Sequence, residues 1–379
     1  MGEIRVYQSK WQHPDKETGA VIPPLYLTST YVQEYPGTTK GYDYTRAGNP
    51  NFTNLENQIA SLENGKHATI FASGLSSFTA IIATMEPGEL VLSTDDLYGG
   101  TYRIFNRVFK QYGILFETIS TQDLALVKSK VENLKPKYVL VESPTNPLLN
   151  ISDIEEISKI CKANGSKLIV DNAFASPYFQ NPLDLGADMV MHSTTKYIGG
   201  HSDTIGGVLI YNEDDLKQKL DFARMAIGLN PSPFDAWMTS RSLKTLGVRM
   251  ERHAENAMKV ATFLEKHPKV NKVYYPGLTS HRNHIVAQKQ MKGYSGIVSV
   301  EFHLNLEETM RLISGFKIFS LAESLGGVES LVDHPASMTH ASIPKAEREK
   351  AGLFDGLVRF SVGIEDIDDI LEDLKIGLE

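Results

Sequence analysis

The segment Met191-His192-Ser193-Thr194-Thr195-Lys196-Tyr197-Ile198-Gly199-Gly200-His201 sets one lysine among small hydroxyl residues, between an apolar run and a glycine pair. Ala187, Met189, Val190 and Met191 read as the end of a buried strand, which delivers Lys196 just past it. A lysine partly withdrawn from water loses basicity and can attack a carbonyl to form a Schiff base, while Ser193 and Thr195 can donate to an anion. Taken alone, a lysine after a strand is ordinarily a solvated loop residue. Its meaning depends on the other segments the chain brings beside it.

Four further polar sets follow apolar strands. Ser73-Gly74-Leu75 precedes a helix, whose first N–H groups and dipole favour a phosphate. Asp95-Asp96-Leu97-Tyr98-Gly99-Gly100-Thr101-Tyr102-Arg103 offers an aromatic plate beside glycines that permit close approach. Glu142-Ser143-Pro144-Thr145-Asn146-Pro147 reads on its own as turn chemistry. Asp171-Asn172 ends the strand Leu168-Ile169-Val170, where a buried carboxylate needs a cationic partner. The five sets together suit one ligand: phosphate at Ser73/Gly74 and Ser193/Thr195, a ring stacked on Tyr98, a protonated ring nitrogen paired with Asp171, and an aldehyde condensed with Lys196. That ligand is pyridoxal 5'-phosphate.

The elements that must position these groups alternate. A helix over 51–63 leads into a strand at 68–72 and a helix over 76–85; strands follow at 90–92, 114–118, 137–142, 167–171, 187–191 and 206–211, with helices over 101–112, 123–134 and one that Ser152-Asp153-Ile154-Glu155 opens with a capping box. Short, continuously apolar strands alternating with helices predict an α/β architecture with a mostly parallel sheet covered on both faces, whose ligands bind beyond the strands' carboxyl ends. Beyond Pro231 a long helical pattern runs to Leu264. Then 299–304 and 357–364 alternate with period two, predicting a half-buried antiparallel sheet in a smaller α+β C-terminal domain. In the second run Val358, Phe360, Val362 and Ile364 share one face and leave Arg359 and Ser361 on the other. Residues 1–47 are rich in Tyr, Thr, Pro and Gly, show no sustained period and cannot build a core, so they must lie on another surface. The expected division is an arm at 1–47, a cofactor-binding domain at 48–252 and a C-terminal domain at 253–379.

With 379 residues, 41% hydrophobic and 22% charged, the chain can bury a large core. Its formal net charge of −8 argues against nucleic acid or an anionic membrane as partner. The single cysteine, Cys161, excludes an internal disulfide and multi-cysteine metal sites. No stretch of about 18 apolar residues occurs. With no signal-like N-terminal run either, the expected location is the cytoplasm. Zinc hydrolysis could be sought in His192, His201, His334 and His340, but no metal-ligand spacing supports it.

Lys40-Gly-Tyr-Asp-Tyr-Thr-Arg-Ala-Gly-Asn-Pro50, Tyr98-Gly-Gly-Thr101, Glu142-Ser-Pro-Thr-Asn-Pro147, Val170-Asp-Asn172, the Lys196 segment through Asp203, Leu321-Ala-Glu-Ser-Leu-Gly-Gly-Val-Glu-Ser-Leu331, Met338-Thr-His-Ala341 and Val358-Arg-Phe-Ser-Val-Gly-Ile-Glu365 carry a further signal. In order and spacing they resemble the Cys/Met-metabolism, or trans-sulfuration, enzymes of the pyridoxal-phosphate superfamily, over essentially the whole chain. The resemblance implies the aspartate-aminotransferase fold (fold type I). It also implies a role at each matching position. Lys196 is the Schiff-base lysine and proton shuttle; Asp171 holds the pyridinium; Tyr98 stacks on the ring; Asn146 lies near the phenolic oxygen and the substrate carboxylate. Ser73, Gly74, Leu75, Ser193 and Thr195 bind the phosphate, which Tyr44 and Arg46 reach from an adjacent subunit of a homo-oligomer, a dimer of dimers. Arg359 grips the substrate α-carboxylate with Ser324, and Arg103 lines the entrance. Two positions depart from the family pattern, Ala173 where Thr is common and Thr45 where Ser is usual; neither removes a group the chemistry needs.

Family reactions diverge after α-proton removal, and two details suggest γ-elimination on a sulfur amino acid. Glu323 precedes the serine of the Ser-Leu-Gly-Gly loop, as in members acting on cystathionine, and could meet its distal ammonium. Pro231-Ser-Pro-Phe-Asp235 resembles the segment of γ-lyases. The resemblance therefore implies cystathionine γ-lyase chemistry, with γ-replacement on activated homoserine as the alternative. Methionine γ-elimination and non-catalytic cofactor binding follow behind.

Overall fold

The computed structural model describes residues 14–339, 345–350 and 352–379. The first thirteen residues of the arm, and His340 with Ala341 of the Met338 motif, lie outside the described residues.

Seven strands form the larger sheet: β1 (His67–Phe71), β2 (Leu90–Thr94), β3 (Leu115–Ile119), β4 (Tyr138–Glu142), β5 (Lys167–Asp171), β6 (Met189–Ser193) and β7 (Gly207–Tyr211). Their spatial order is β1-β7-β6-β5-β4-β2-β3. β7 pairs antiparallel with both β1 and β6, and every other pairing is parallel. The carboxyl ends of β1, β2, β4, β5 and β6 therefore all open on one edge of the sheet, because β1 is reversed twice across β7. β2, β4 and β7 are buried at every position, which explains their continuously apolar runs. β3, the edge strand, is largely exposed.

A second sheet has the order β10-β11-β12-β9-β8, from β8 (Val270–Tyr274), β9 (Ile297–Phe302), β10 (Ser320–Leu321), β11 (Leu331–Asp333) and β12 (Leu357–Ser361). The unbroken helix Leu246–Glu265 carries the chain from one sheet to the other. Val298, Val300, Phe302, Phe319, Val358 and Phe360 form its core, with the Phe319 and Phe360 rings edge to face at 5.1 Å. Burying each such side chain contributes about 1.5–3 kcal/mol.

The structure departs from the pattern reading at four places, each with a physical cause. The helix at Ile154–Asn164 is capped by Asp153, whose side chain accepts from the Glu156 N–H at 3.1 Å. Ser152 is unavailable for that task, since its hydroxyl meets Thr121 at 2.7 Å and its N–H donates to Ser143 Oγ. The helix expected over 101–112 is three short pieces, Gly99–Arg103, a wide turn over Ile104–Val108 and a tight one over Phe109–Tyr112, anchored where Phe105 stacks on Phe116 of β3 at 4.4 Å. The long pattern before Leu264 breaks at Leu243–Thr245, where the Ser242 carbonyl accepts from the Arg249 guanidinium. Lastly, β12 is buried on both faces rather than half-buried. The face that Arg359 shares with Ser299 presses on a loop of the larger sheet, where Ser299 Oγ donates to the Pro147 carbonyl at 2.6 Å, and the second sheet's own β10–β11 loop covers Ser361, whose Oγ accepts from the Gly326 N–H.

Candidate active site

Between the strand ends and the second sheet lies a cavity of about 350 Å³. Ser73, Gly74, Leu75, Tyr98, Asn146, Asp171, Ser193, Thr195, Lys196, Glu323, Ser324 and Arg359 all line it. These twelve positions span 287 residues of chain and were each singled out for chemistry. Tyr44, Arg46 and Arg103 do not line it. Arg46 and Tyr44 are exposed, the guanidinium 5.5 Å from the Tyr44 ring centroid and donating to the Met225 carbonyl at 2.8 Å. Arg103 is exposed too, at the end of the turn that follows Tyr98, beside Gly99.

One end of the cavity is built for an anion. Ser73 caps the helix Gly74–Ile82, its side chain accepting from the Ser76 N–H at 3.1 Å, so the helix starts at the cavity wall with its first N–H groups lacking intrahelical partners. Gly207 makes the close approach of β7 possible: a Cβ there would come within 2.2 Å of the Ser73 carbonyl oxygen. Thr195 Oγ1 accepts from the Gly206 N–H at 3.1 Å, which fixes its hydroxyl on the same side.

Lys196 Nζ donates to Ser324 Oγ at 2.9 Å. Burial, reinforced by the nearby Arg359 charge, lowers its pKa to about 8, so a nucleophilic neutral amine is within reach near neutral pH. Asp171 accepts from the Ala173 N–H at 3.0 Å, and burial raises its pKa to about 6. A carboxylate so enclosed with one backbone donor is completed by a cationic nitrogen. Tyr98, 43% exposed, projects at the cavity wall with its N–H held by Glu142 Oε2 at 3.0 Å.

Arg359, only 3% exposed, donates through Nη1 to Asn146 Oδ1 at 2.7 Å and through Nη2 to the Ser324 carbonyl at 2.8 Å and to Asp333. Asp333 and Glu142 were given no role on sequence grounds. Glu142 carried the signal Asp171 carried, a carboxylate ending an apolar strand, and burial plus the adjacent Asp171 charge push its pKa well up. Asp333 ends an apolar run too short to read as a strand. Asp96 was also missed; its half-buried carboxylate accepts from Thr145 Oγ1 at 2.5 Å and Asn150 Nδ2 at 3.1 Å, tying the Tyr98 loop to the Asn146 loop.

A family model described as Cys/Met metabolism PLP-dependent enzyme matches residues 7–379. The chain belongs to this family. It is 49% identical to a cystathionine gamma-lyase of Dictyostelium discoideum and 49% identical to a cystathionine beta-lyase of Coxiella burnetii, each over 97% of this chain and 95% of the relative. A crystal structure of cystathionine gamma synthase from Xanthomonas oryzae pv. oryzae, in complex with aminoacrylate and cysteine, superposes with a TM-score of 0.94 at 42% identity, covering 97% of this chain and 95% of that one. The fold is thus type I, and the protein is a pyridoxal-phosphate-dependent enzyme of carbon–sulfur chemistry in cysteine and methionine metabolism. The cavity fits that cofactor: an anion-binding helix start, an under-satisfied acid, an aromatic ring and a lysine of lowered basicity share one space.

The four histidines have other occupations. His192 Nε2 meets Glu63 Oε1 at 2.5 Å, His201 Nδ1 meets the Gly199 carbonyl at 2.7 Å, and His334 sits between Ser337 Oγ and the Asp355 carbonyl, both at 2.8 Å; His340 lies outside the described residues. Among the described residues no group of three or more His, Cys, Asp or Glu could hold a metal ion. None of the described helices is long and apolar enough to cross a membrane.

Proposed function

We propose that this enzyme cleaves L-cystathionine by γ-elimination, giving L-cysteine, 2-oxobutanoate and ammonia. The observation that carries this reading is Glu323, an exposed carboxylate on the cavity lining beside Ser324 and Arg359, placed to meet a second ammonium beyond the reacting end of the substrate. Bound pyridoxal phosphate supplies the electron sink that stabilises negative charge at the substrate's α-carbon. The residues that would hold it are Ser73, Gly74, Leu75, Ser193 and Thr195 at the phosphate, Asp171 at the ring nitrogen, Tyr98 over the ring, Asn146 beside the phenolic oxygen and Lys196 at the aldehyde. Arg359, with Asn146 and Ser324, holds the α-carboxylate and so fixes which bonds at Cα lie across the ring plane. Lys196 Nζ would then take the Cα proton; a second proton lost at Cβ balances the one taken up by the thiolate, so that cysteine leaves from Cγ, and water converts the remaining four-carbon fragment to 2-oxobutanoate and ammonia.

γ-Replacement on O-acetyl- or O-succinylhomoserine by cysteine is the second reading, since it uses the same residues up to loss of the Cγ substituent. Relatives named for β-elimination match equally well, so products decide. With cystathionine, cysteine and 2-oxobutanoate are expected; homocysteine and pyruvate would overturn the proposal. Faster formation of cystathionine from activated homoserine and cysteine than its cleavage would favour the second reading.

Glu323 gives a substrate-specific prediction. A charge-assisted contact is worth about 1.5–3 kcal/mol, or roughly 10- to 100-fold. In Glu323→Ala, kcat/KM for cystathionine falls by about that factor while that for homocysteine, which lacks the distal ammonium, changes little. Equal losses on both substrates would remove Glu323 from substrate recognition.

The arm leads to a proposal about assembly. Tyr44 and Arg46 are exposed and do not line their own chain's cavity, and apolar Val21, Leu27, Val32 and Tyr35 along the arm are exposed. We assign them to a neighbouring subunit's phosphate end, in a homo-oligomer built from dimers. Arg46→Ala and Lys196→Ala proteins, each inactive, should regain activity on mixing, to about a quarter of the wild-type sites in a random dimer population. No return of activity despite proven subunit exchange would refute the shared site. A cytoplasmic, reducing setting suits the free and buried Cys161.

A further inference from the structure

We infer that Asp333 is the positioning residue of the substrate-carboxylate site: it pins Arg359 Nη2 so that the hydrogen left over on Nη1 is held for a ligand. The inference rests on the reading of Arg359 as the α-carboxylate anchor.

The second sheet exists at this point to bring the two side chains together. β11 is three residues long, and its register places Asp333 directly opposite Arg359 on β12. Both are buried, Asp333 at 1% exposure, and they form an ion pair through Asp333 Oδ2 and Arg359 Nη2. Asp333 does not line the cavity, so it cannot touch the ligand itself. Its other oxygen, Oδ1, is buried without a hydrogen-bond partner among the described residues, which leaves the guanidinium as the one group it serves.

The hydrogen inventory of Arg359 shows what this achieves. A guanidinium has five N–H donors in a rigid plane. Nη2 spends both of its hydrogens, on Asp333 and on the Ser324 carbonyl, and Nη1 spends one on Asn146 Oδ1. One Nη1 hydrogen remains for the ligand; the Nε–H also lacks a partner, but it is buried and lies on the Nη2 side of the plane, away from Nη1. Asn146 and Ser324 belong to loops that line the cavity and meet the ligand, whereas Asp333 sits on the neighbouring strand of Arg359's own sheet. It is therefore the fixed reference for the plane. An arginine held by loops alone would have to order its long side chain at the moment of binding, and that cost would appear in substrate affinity.

The test uses the holoenzyme and two probes that differ only by a carboxylate, L-serine and ethanolamine, followed by the change each causes in cofactor absorbance. In Asp333→Ala the apparent Kd for L-serine should rise by about 10-fold or more while that for ethanolamine stays within about twofold. For cystathionine, KM should rise more than kcat falls. Asp333→Asn keeps an oxygen for Nη2 and should restore most of the L-serine affinity, which also guards against misfolding of the alanine variant, where a buried arginine loses its anion. Unchanged L-serine affinity in the alanine variant overturns the inference, and so does parallel weakening of both probes. Arg359→Ala is the control. If it binds L-serine normally, the carboxylate-site reading itself fails and the inference with it.

Discussion

Lys196→Ala should lower turnover by at least about 10⁴-fold and remove the borohydride-reducible covalent link to pyridoxal phosphate. Lys196 is the one lysine on the cavity lining among the described residues, so no other amine stands ready to replace it. Two functions fail together: the covalent hold on the cofactor's aldehyde and the proton carrier at Cα. The variant should still fold and still bind pyridoxal phosphate, because the anion-binding helix start, Asp171 and Tyr98 are untouched. Absorbance should shift away from that of the lysine-linked cofactor, and mass spectrometry after reduction should find no adduct on the chain. A reducible lysine adduct in that variant would show that the wrong residue had been chosen.

Arg359→Ala is the second large effect. The charge-assisted hydrogen bonds that Arg359 gives to the α-carboxylate and to Asn146 beside it are worth about 3–6 kcal/mol together, so kcat/KM for any amino-acid substrate should fall by roughly 10²- to 10⁴-fold. Arg359→Lys should recover little of it. An ammonium is a point donor that cannot span Asn146, Ser324, Asp333 and a carboxylate in one plane. A drop in kcat/KM of less than about fivefold in the lysine variant would contradict the fork geometry.

The candidate site residues on the larger sheet, which share one cavity lining, were legible because each stands just after an apolar strand. In a parallel sheet that position alone predicts a shared edge, which groups Ser73, Tyr98, Asn146, Asp171, Ser193 and Lys196 from the sequence. Arg359 was picked out by a different route, the family resemblance, with the period-two alternation only setting it and Ser361 on the face opposite Val358 and Phe360. Asp333 was not. Three residues are too few to show a period, and its importance comes entirely from a register that pairs it with Arg359.

Local pattern also misjudged how much of the second sheet would be covered. Alternation in β12 reads as one wet face, yet Arg359 and Ser361 are buried, because the Asn146 loop of the larger sheet meets Arg359 and the β10–β11 loop folds back onto Ser361. Burial of that kind is what moves the pKa of Lys196 down to about 8 and those of Asp171 and Asp333 up to about 6. No stretch of neighbours along the chain specifies it.

From its residues alone, then, the chain determined an α/β framework, the strand ends that carry the chemistry and the cofactor whose parts those ends match. Strand and turn preferences act over a few residues, and so remain readable in order. Tertiary structure decided that Lys196 meets Ser324 across 128 positions and Asn146 meets Arg359 across 213. It also decided that Tyr44 and Arg46 are exposed and off the lining of their own cavity. Those outcomes depend on how two sheets pack and what they exclude from water, which is a property of the assembled volume and not of any segment within it.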